Sequence, residues 1–534
     1  MWLTKRPGPT YNPLHLSEQQ VLNNFIARQH EFRTIFSEIK NSSMQYPEQH
    51  IIIQGQRGQG KSMLLVKLYR EIKKDELLNR RIIPVIFTEE QYNVNSLFDF
   101  WGNTADYLEE EKGFTGLYKK IAAVSRDEEP ESRALSILET TLKKKRKKLV
   151  LLVDNIDQIL DKLTRKEQQR LREVLITCAD IRIIGTAPVV PAYFFDYSNP
   201  FYEFFRIIDL KGLNQQDTRI LLLKLGELYG QEDIQQTVVN EPARVETLRR
   251  LIGGNLRQVI FLFEALLDYP GGNAYHDMEF ILDRDTPYYR YQMDNLSPLQ
   301  QKIVHIIALQ WDAVSTKTIA VKSRMQSKAV SSHLALLEKN RLVRKIKTNT
   351  KNHFYQLNER FFNLWYLVRY GRKEGKQRVQ WLVHFLENWY RQNQSFLRAN
   401  GEKTGDSLKA NRIHAPTPVY MPEDSNHKNQ NFQKFLSVGQ ERLKGSESIT
   451  KHTGWIIGFF IFLMGQKHYY KLFEIFNENP FDLKERFKPI YYALMYFLKD
   501  EYPNESRKMG EELRETVEEI IFAVSINITG SGSQ

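Results

Sequence analysis

Apolar positions in the first half of the chain fall into short runs, the first of them followed by glycine-rich residues and then by helical spacing. Ile51 to Ile53 and Leu149 to Val153 are too short for helices and show no polar alternation, so each reads as a buried strand, and Ile181 to Ile184, interrupted by Arg182, reads as a third strand. A fourth strand is expected over Arg206 to Leu210. Leu64, Leu65, Leu68 and Ile72 recur at helical intervals directly after the first run. After Lys211 the spacing is mostly helical. It is interrupted once, where expected helices at Gln300–Leu309, Thr316–Val321 and Ser327–Glu338 are followed by expected strands at Leu342–Lys347 and His353–Leu357 around the polar turn Thr348–Asn352.

The residues between the first strand and the first helix carry the clearest chemistry. Gly55-Gln56-Arg57-Gly58-Gln59-Gly60-Lys61-Ser62 matches the Walker A phosphate-binding pattern, in the strand, loop and helix context that gives the pattern meaning. The glycines let the backbone curl its amides toward phosphate oxygens, and the following helix adds its positive N-terminal end. Lys61 is expected on the β and γ phosphates of ATP and Ser62 on Mg²⁺. The run Leu149 to Val153 ends in Asp154-Asn155-Ile156-Asp157, the arrangement of a Walker B segment, which makes Asp154 the second Mg²⁺ residue. Asn155 stands where many vigorous ATPases carry a water-orienting glutamate, so slow hydrolysis is expected. Asp157, one helical turn on, is either a water-bridged acid or an ordinary helix N-terminal acid that complements the dipole. Thr186, after the third strand, is a candidate γ-phosphate sensor. Arg257, in Gly253-Gly254-Asn255-Leu256-Arg257, is placed to reach bound phosphates from a helical lid.

Composition narrows the setting. A chain of 534 residues exceeds what one hydrophobic core usually serves, so several domains are expected. The single cysteine, Cys178, lies in an apolar stretch and reads as a core filler in a reducing compartment. The apolar run Gly454 to Gly465 falls short of the roughly 20 residues that span a bilayer, so a cytoplasmic protein without membrane contact is expected. The net charge of +12 permits contact with nucleic acid without arguing for it. The run Lys143 to Lys148 reads as a solvated helix end.

Taken in order, these residues resemble the STAND branch of AAA+ ATPases, the signal-transducing ATPases that include archaeal-type ATPases and NLR-like regulators. Phe25-Ile26-Ala27-Arg28-Gln29-His30-Glu31 resembles the segment leading into the first core strand, and the Walker A, Walker B and Thr186 positions follow. Gly253 to Arg257 is similar to the family's lid segment. A winged helix-turn-helix over the elements from Gln300 to Leu357, with the aromatic ending Phe361 to Tyr366, completes the set. The resemblance implies an ATP/ADP switch that is closed and monomeric with ADP and forms homo-oligomers when opened by ATP or a trigger. Arg206 is the candidate arginine finger.

The expected fold is an α/β P-loop NTPase core of AAA+/STAND type over residues 1–210, a helical lid over 211–290, a winged helix-turn-helix over 291–372 and an all-α C-terminal domain over 373–529. Within the last, residues 401–450 read as a polar loop, and the aromatic helices around it read as packing in an array that resembles tetratricopeptide-like repeats. The leading function is a slowly hydrolysing switch that acts through an effector partner, with antiviral defence suggested by analogy alone. Two alternatives stand. One is a DNA-binding AAA+ ATPase of the origin-recognition or transposition-regulator type, and the other a scaffold that binds nucleotide without turnover. The winged helix is expected to work as an internal clamp rather than on DNA, because its recognition helix lacks arginine and its wing carries only a few lysines, Lys345, Lys347 and Lys351, for phosphate contact.

Overall fold

The structure, a computed structural model, describes residues 13–87, 91–111, 113–188, 194, 196–348, 352–393 and 428–530. The chain divides into two compact units, residues 1–212 with 255–257, and residues 213–254 with 258–534.

The first unit is a parallel α/β core. Its sheet is built from β1 (Ile51–Gln54), β2 (Ile82–Phe87), β3 (Lys148–Val153), β4 (Ile181–Ala187) and β5 (Arg206–Asp209), in the order β2-β3-β4-β1-β5. All the pairings are parallel. Successive side chains on a strand point to opposite faces, and here both faces are covered. Ile52, Ile83, Val85, Leu149, Leu151, Ile181 and Ile183 enter one apolar cluster, while Ile51, Ile53, Ile82, Ile86, Val150, Leu152 and Ile184 enter the other. This double burial explains why β1 and β3 read as largely unbroken apolar runs.

One strand went unread in the sequence. β2 follows directly on the helix Glu76–Arg81 and contains Pro84, which has no N–H for a sheet ladder. Its position at the sheet edge makes the proline tolerable. Cys178 is buried in the first cluster, where burial pushes its thiol up to about 12.

The second unit is mostly helical. Helices Gln215–Tyr229, Glu232–Asn240, Pro242–Leu251 and Ala274–Asp294 lie in the stretch read as a lid. Helices Pro298–Gln310, Thr316–Ser323 and Ser327–Lys339 then accompany a small antiparallel sheet of β6 (Val314–Ser315), β7 (Val343–Ile346) and β8 (Phe354–Leu357). The tip of that hairpin, with Lys351, lies outside the described residues.

The loop expected over 401–450 needs correction in its second half. Helices Lys428–Arg442 and Ser446–Lys451 occupy it, because Phe432, Phe435 and Leu436 supply enough apolar side chains to pack, as in the contact of Phe435 with Trp455 and Phe459. Residues 401–427 lie outside the description. The apolar run at Gly454 becomes the helix Thr453–Gly465, whose side chains are nearly all buried, and no described helix is long and apolar enough to cross a membrane. Of the aromatic stripes, Phe385, Trp389, Tyr390, Phe476, Tyr491 and Tyr492 are buried, whereas Tyr470 and Tyr496 are exposed.

The last helix, Glu511–Gly530, binds this unit together. Glu512 accepts from Arg360 at 2.8 Å and from the Trp311 indole at 2.6 Å. Glu515 accepts from Arg249 at 2.9 Å, and Arg250 reaches both Glu515 and Glu519. Segments separated by hundreds of residues are thereby fixed through charged groups that are costly to leave unpaired once buried.

His50, just before β1, shows how tightly the core holds a polar group. Its Nδ1 accepts the Ile183 N–H at 3.0 Å, so its Nε2–H donates to the Leu175 carbonyl at 3.1 Å. Burial lowers its pKa to about 4. The unfolded chain would take up this proton near pH 6.5 and the folded chain only near 4, so stability falls as pH drops through that window. The contribution lost should be about 3 kcal/mol. Urea unfolding of the wild type and a His50→Gln variant between pH 7 and 4.5 checks this, and parallel pH profiles would refute it.

Candidate functional site

Parallel pairing brings the ends of β1, β3 and β4 to one edge of the sheet. Ile53 pairs with Thr186, and Val153 with Gly185, so Gly55, Asp154 and Thr186 emerge together. Ligands of open α/β sheets bind at this edge, where neighbouring connections diverge.

The loop from Gly55 to Gly60 leads into the helix Lys61–Lys74. Gly58 and Gly60 take φ of 88° and 89°, in the left-handed region that side chains disfavour. Space also excludes larger residues. A Cβ on Gly58 would stand 2.6 Å from Asn255 Oδ1, and one on Gly60 2.9 Å from Leu256 Cδ2. Gln56 and Arg57 are exposed at the loop's crest, whereas Gln59 is buried.

Lys61 is almost fully buried and donates to the carbonyls of Gly55 at 2.6 Å and Gln56 at 3.1 Å. Burial lowers its pKa to about 8, opposed by the nearby Asp154 and Asp157 carboxylates. Ser62 Oγ donates to Asp154 Oδ2 at 2.6 Å. The other Asp154 oxygen accepts from the Thr186 hydroxyl, whose oxygen in turn accepts the Asn155 N–H at 3.1 Å. Ser62, Asp154 and Thr186 thus form one chain of hydrogen bonds beside a lysine.

A magnesium ion fits this chemistry. Mg²⁺ usually keeps several waters and takes only one or two protein oxygens, and the Ser62 hydroxyl and Asp154 carboxylate already converge. Among the described residues there is no cluster of three or more His, Cys, Asp or Glu that would form a dedicated metal cage.

Asn155 has a backbone role that its sequence position did not reveal. It caps the helix Ile156–Lys162 with φ 50° and ψ 46°, a conformation that asparagine tolerates better than glutamate. Asp157 is buried in the first turn of that helix.

Arg257 lies at the loop, its backbone N–H donating to the Gly58 carbonyl at 3.0 Å. Arg206 does not. It pairs with Ile51 at the start of β5, the end of the sheet opposite the loop, and its guanidinium binds Glu38 at 2.7 and 2.8 Å. Sequence order alone placed Arg206 beside the last core strand; strand direction sends it away from Lys61.

Two residues that hold the loop were missed as site residues. Arg28 donates to the Gln59 carbonyl at 3.1 Å and the Gln59 side chain at 2.7 Å, and Asn255 donates to the Arg57 carbonyl at 2.8 Å. Both lay inside segments singled out for order along the chain, but nothing in the sequence says what their side chains touch.

No protein-family model matches the chain, and no curated protein does. Solved structures are similar to it at low identity. A Walker-type ATPase of Pyrococcus abyssi is 16% identical, with 64% of this chain and 95% of that one covered, at a TM-score of 0.42. The Aeropyrum pernix ORC1 protein in complex with DNA is 14% identical, with 66% and 96% covered and a TM-score of 0.40. The Aeropyrum pernix ORC2 protein, in ADPNP-ADP complexes, is 13% identical, with 66% and 95% covered and a TM-score of 0.42.

The buried lysine makes a prediction about the protein without ligand. Its pKa of about 8 lies below the 10.5 of the unfolded chain, so folding releases a proton between these values and stability rises with pH across them. Relative to Lys61→Met, the wild type should gain at most about 1.4 kcal/mol per pH unit above pH 8. Chemical unfolding at pH 7.5, 8.5 and 9.5 measures the difference, and a constant offset would refute it.

Proposed function

We propose that the chain is an ATP-dependent switch of AAA+ type, in which Gly55 to Ser62 hold the phosphates and Ser62 and Asp154 hold Mg²⁺. The observation that carries this reading is the convergence of Lys61, Ser62, Asp154 and Thr186 at the mouth of a glycine loop that leads into a helix N-terminus. Thr186 is suited to sense the γ phosphate through the oxygen of Asp154 that it holds, and Arg257 to approach from its place beside Gly58. Asp157 adds negative charge near Lys61. With asparagine at 155, no carboxylate directly follows Asp154 to orient water, and turnover is slow. ATP in place of ADP then favours self-association, and a separate effector protein supplies the output.

Saturating Mg-ATP should stabilise the wild type by roughly 2.7 kcal/mol at 100 times its dissociation constant. Lys61→Ala should bind at least tenfold more weakly, because the cation facing the phosphates is gone. Calorimetric titration, with phosphate release and size-exclusion chromatography on the same samples, tests the reading. Equal binding by the variant, or rapid turnover by isolated wild type, would count against it.

A second reading, duplex DNA binding through residues 313–357, is favoured by one observation. In this stretch Glu338 is the sole acid, whereas Lys317, Lys322, Arg324, Lys328, Lys339 and Lys347 are all exposed. Ser327, Lys328, Ser331 and Ser332 on the helix Ser327–Lys339 are exposed as well, as a helix lying in a major groove requires. Charge reversal at Lys322, Lys328 and Lys347 should weaken binding to a random duplex and reduce the slope of log affinity against log salt by about one per lost phosphate contact. An unchanged slope with altered ATP-driven assembly would restore the clamp.

A further inference from the structure

We propose that Arg28 and Asn255 are positioning residues that preset the phosphate loop by holding its carbonyls outward. This rests on the reading of Gly55 to Ser62 as the phosphate site, and it assigns work to two side chains outside the motif.

The argument starts from peptide geometry. In a planar trans peptide the C=O and the following N–H point in opposite directions, so fixing one fixes the other. Asn255 Nδ2 donates to the Arg57 carbonyl at 2.8 Å, which turns the Gly58 N–H to the opposite side. Arg28 Nε donates to the Gln59 carbonyl at 3.1 Å, which does the same for the Gly60 N–H. Between them, the Gly58 carbonyl accepts the backbone N–H of Arg257 at 3.0 Å. Three successive carbonyls are therefore held by donors outside the loop.

Glycines supply no such stiffness themselves. With φ near 88° at both Gly58 and Gly60, the loop uses residues whose backbone freedom permits the curl but does not enforce it. Carbonyls left free could rotate inward, where their negative ends would oppose an anion. Both outer donors are themselves fixed. Arg28 sits in the left-handed region at φ 67°, and its Nη2 also binds the Gln59 side chain at 2.7 Å and the Lys211 carbonyl at 2.6 Å. Asn255 is buried, and its Oδ1 accepts the Arg257 N–H at 3.1 Å, which leaves its amide nitrogen facing Arg57.

The role is one of preorganisation, since both side chains act on carbonyls of the loop itself, those of Arg57 and Gln59. A loop already shaped for phosphate loses less freedom on binding. The carboxylate of Asn255→Asp keeps the acceptor for Arg257 but loses the donor to Arg57. Arg28→Lys keeps the charge but cannot bridge the Gln59 and Lys211 carbonyls from one rigid fork.

The test measures Mg-ATP affinity, the unfolding midpoint without nucleotide, and amide hydrogen exchange across residues 55–62 of the nucleotide-free protein. Wild type, Asn255→Asp, Arg28→Lys and Lys61→Ala are compared as full chains. Each positioning variant should bind about tenfold more weakly and exchange faster in the loop; Arg28→Lys should leave the midpoint nearly unchanged, whereas the buried carboxylate of Asn255→Asp, now facing the Arg57 carbonyl, should lower it without spreading faster exchange into β1 and its helix. Wild-type affinity and exchange in both variants would overturn the inference, as would a large midpoint loss with faster exchange throughout β1 and its helix, the mark of a merely structural role. A wild type that binds no Mg-ATP, or Lys61→Ala binding as well as wild type, would instead overturn the site reading and this inference with it. Either positioning variant alone suffices if the other fails to fold.

Discussion

Parallel pairing of β1 with β4, and of β4 with β3, is the constraint on which the candidate site depends. It sends the loop at Gly55, the carboxylate of Asp154 and the hydroxyl of Thr186 out of the same sheet edge, although Gly55 and Thr186 lie 131 positions apart in the sequence and Asp154 and Thr186 lie 32 apart. The sheet can take this form because helices cover both faces and remove its alternating apolar side chains from water. No single loop contact would assemble these groups without it.

Within that frame the site holds one side chain whose charged form the fold disfavours. Lys61 is buried beside carbonyls, its pKa lowered by the loss of water, and the acids Asp154 and Asp157 only partly offset that loss. Sites poised for a charged ligand commonly carry such a cost. Asp154 shows the complementary arrangement, one oxygen held by Ser62 and the other by Thr186, so a ligand that perturbs either hydroxyl acts on the same carboxylate.

The second unit solves a different problem. Its helices meet through buried ionic groups as well as apolar contact, with Arg244 bound to Asp277 at 2.6 Å and Arg360 to Glu512 at 2.8 Å. Such pairs add little net stability compared with apolar packing, but removing one partner leaves a buried charge unpaired.

The sequence by itself determined the local elements and the chemistry that depends on adjacent residues. Apolar runs marked β1, β3 and β4 because both their faces are buried, and the spacing from Gly55 to Ser62 marked the loop because its groups act through one continuous backbone. β2 escaped notice because Pro84 argues against a strand until its edge position is known, and Phe432 and Phe435 were too sparse to announce a helix without the aromatic partners they pack against. Only the tertiary structure decided which distant side chains meet. It carried Arg206 to Glu38 at the far end of the sheet, and it brought Arg28 and Asn255 to the loop carbonyls. Local pattern reflects burial and backbone preference along a few residues, whereas these contacts depend on strand direction and order, which no short stretch of sequence encodes.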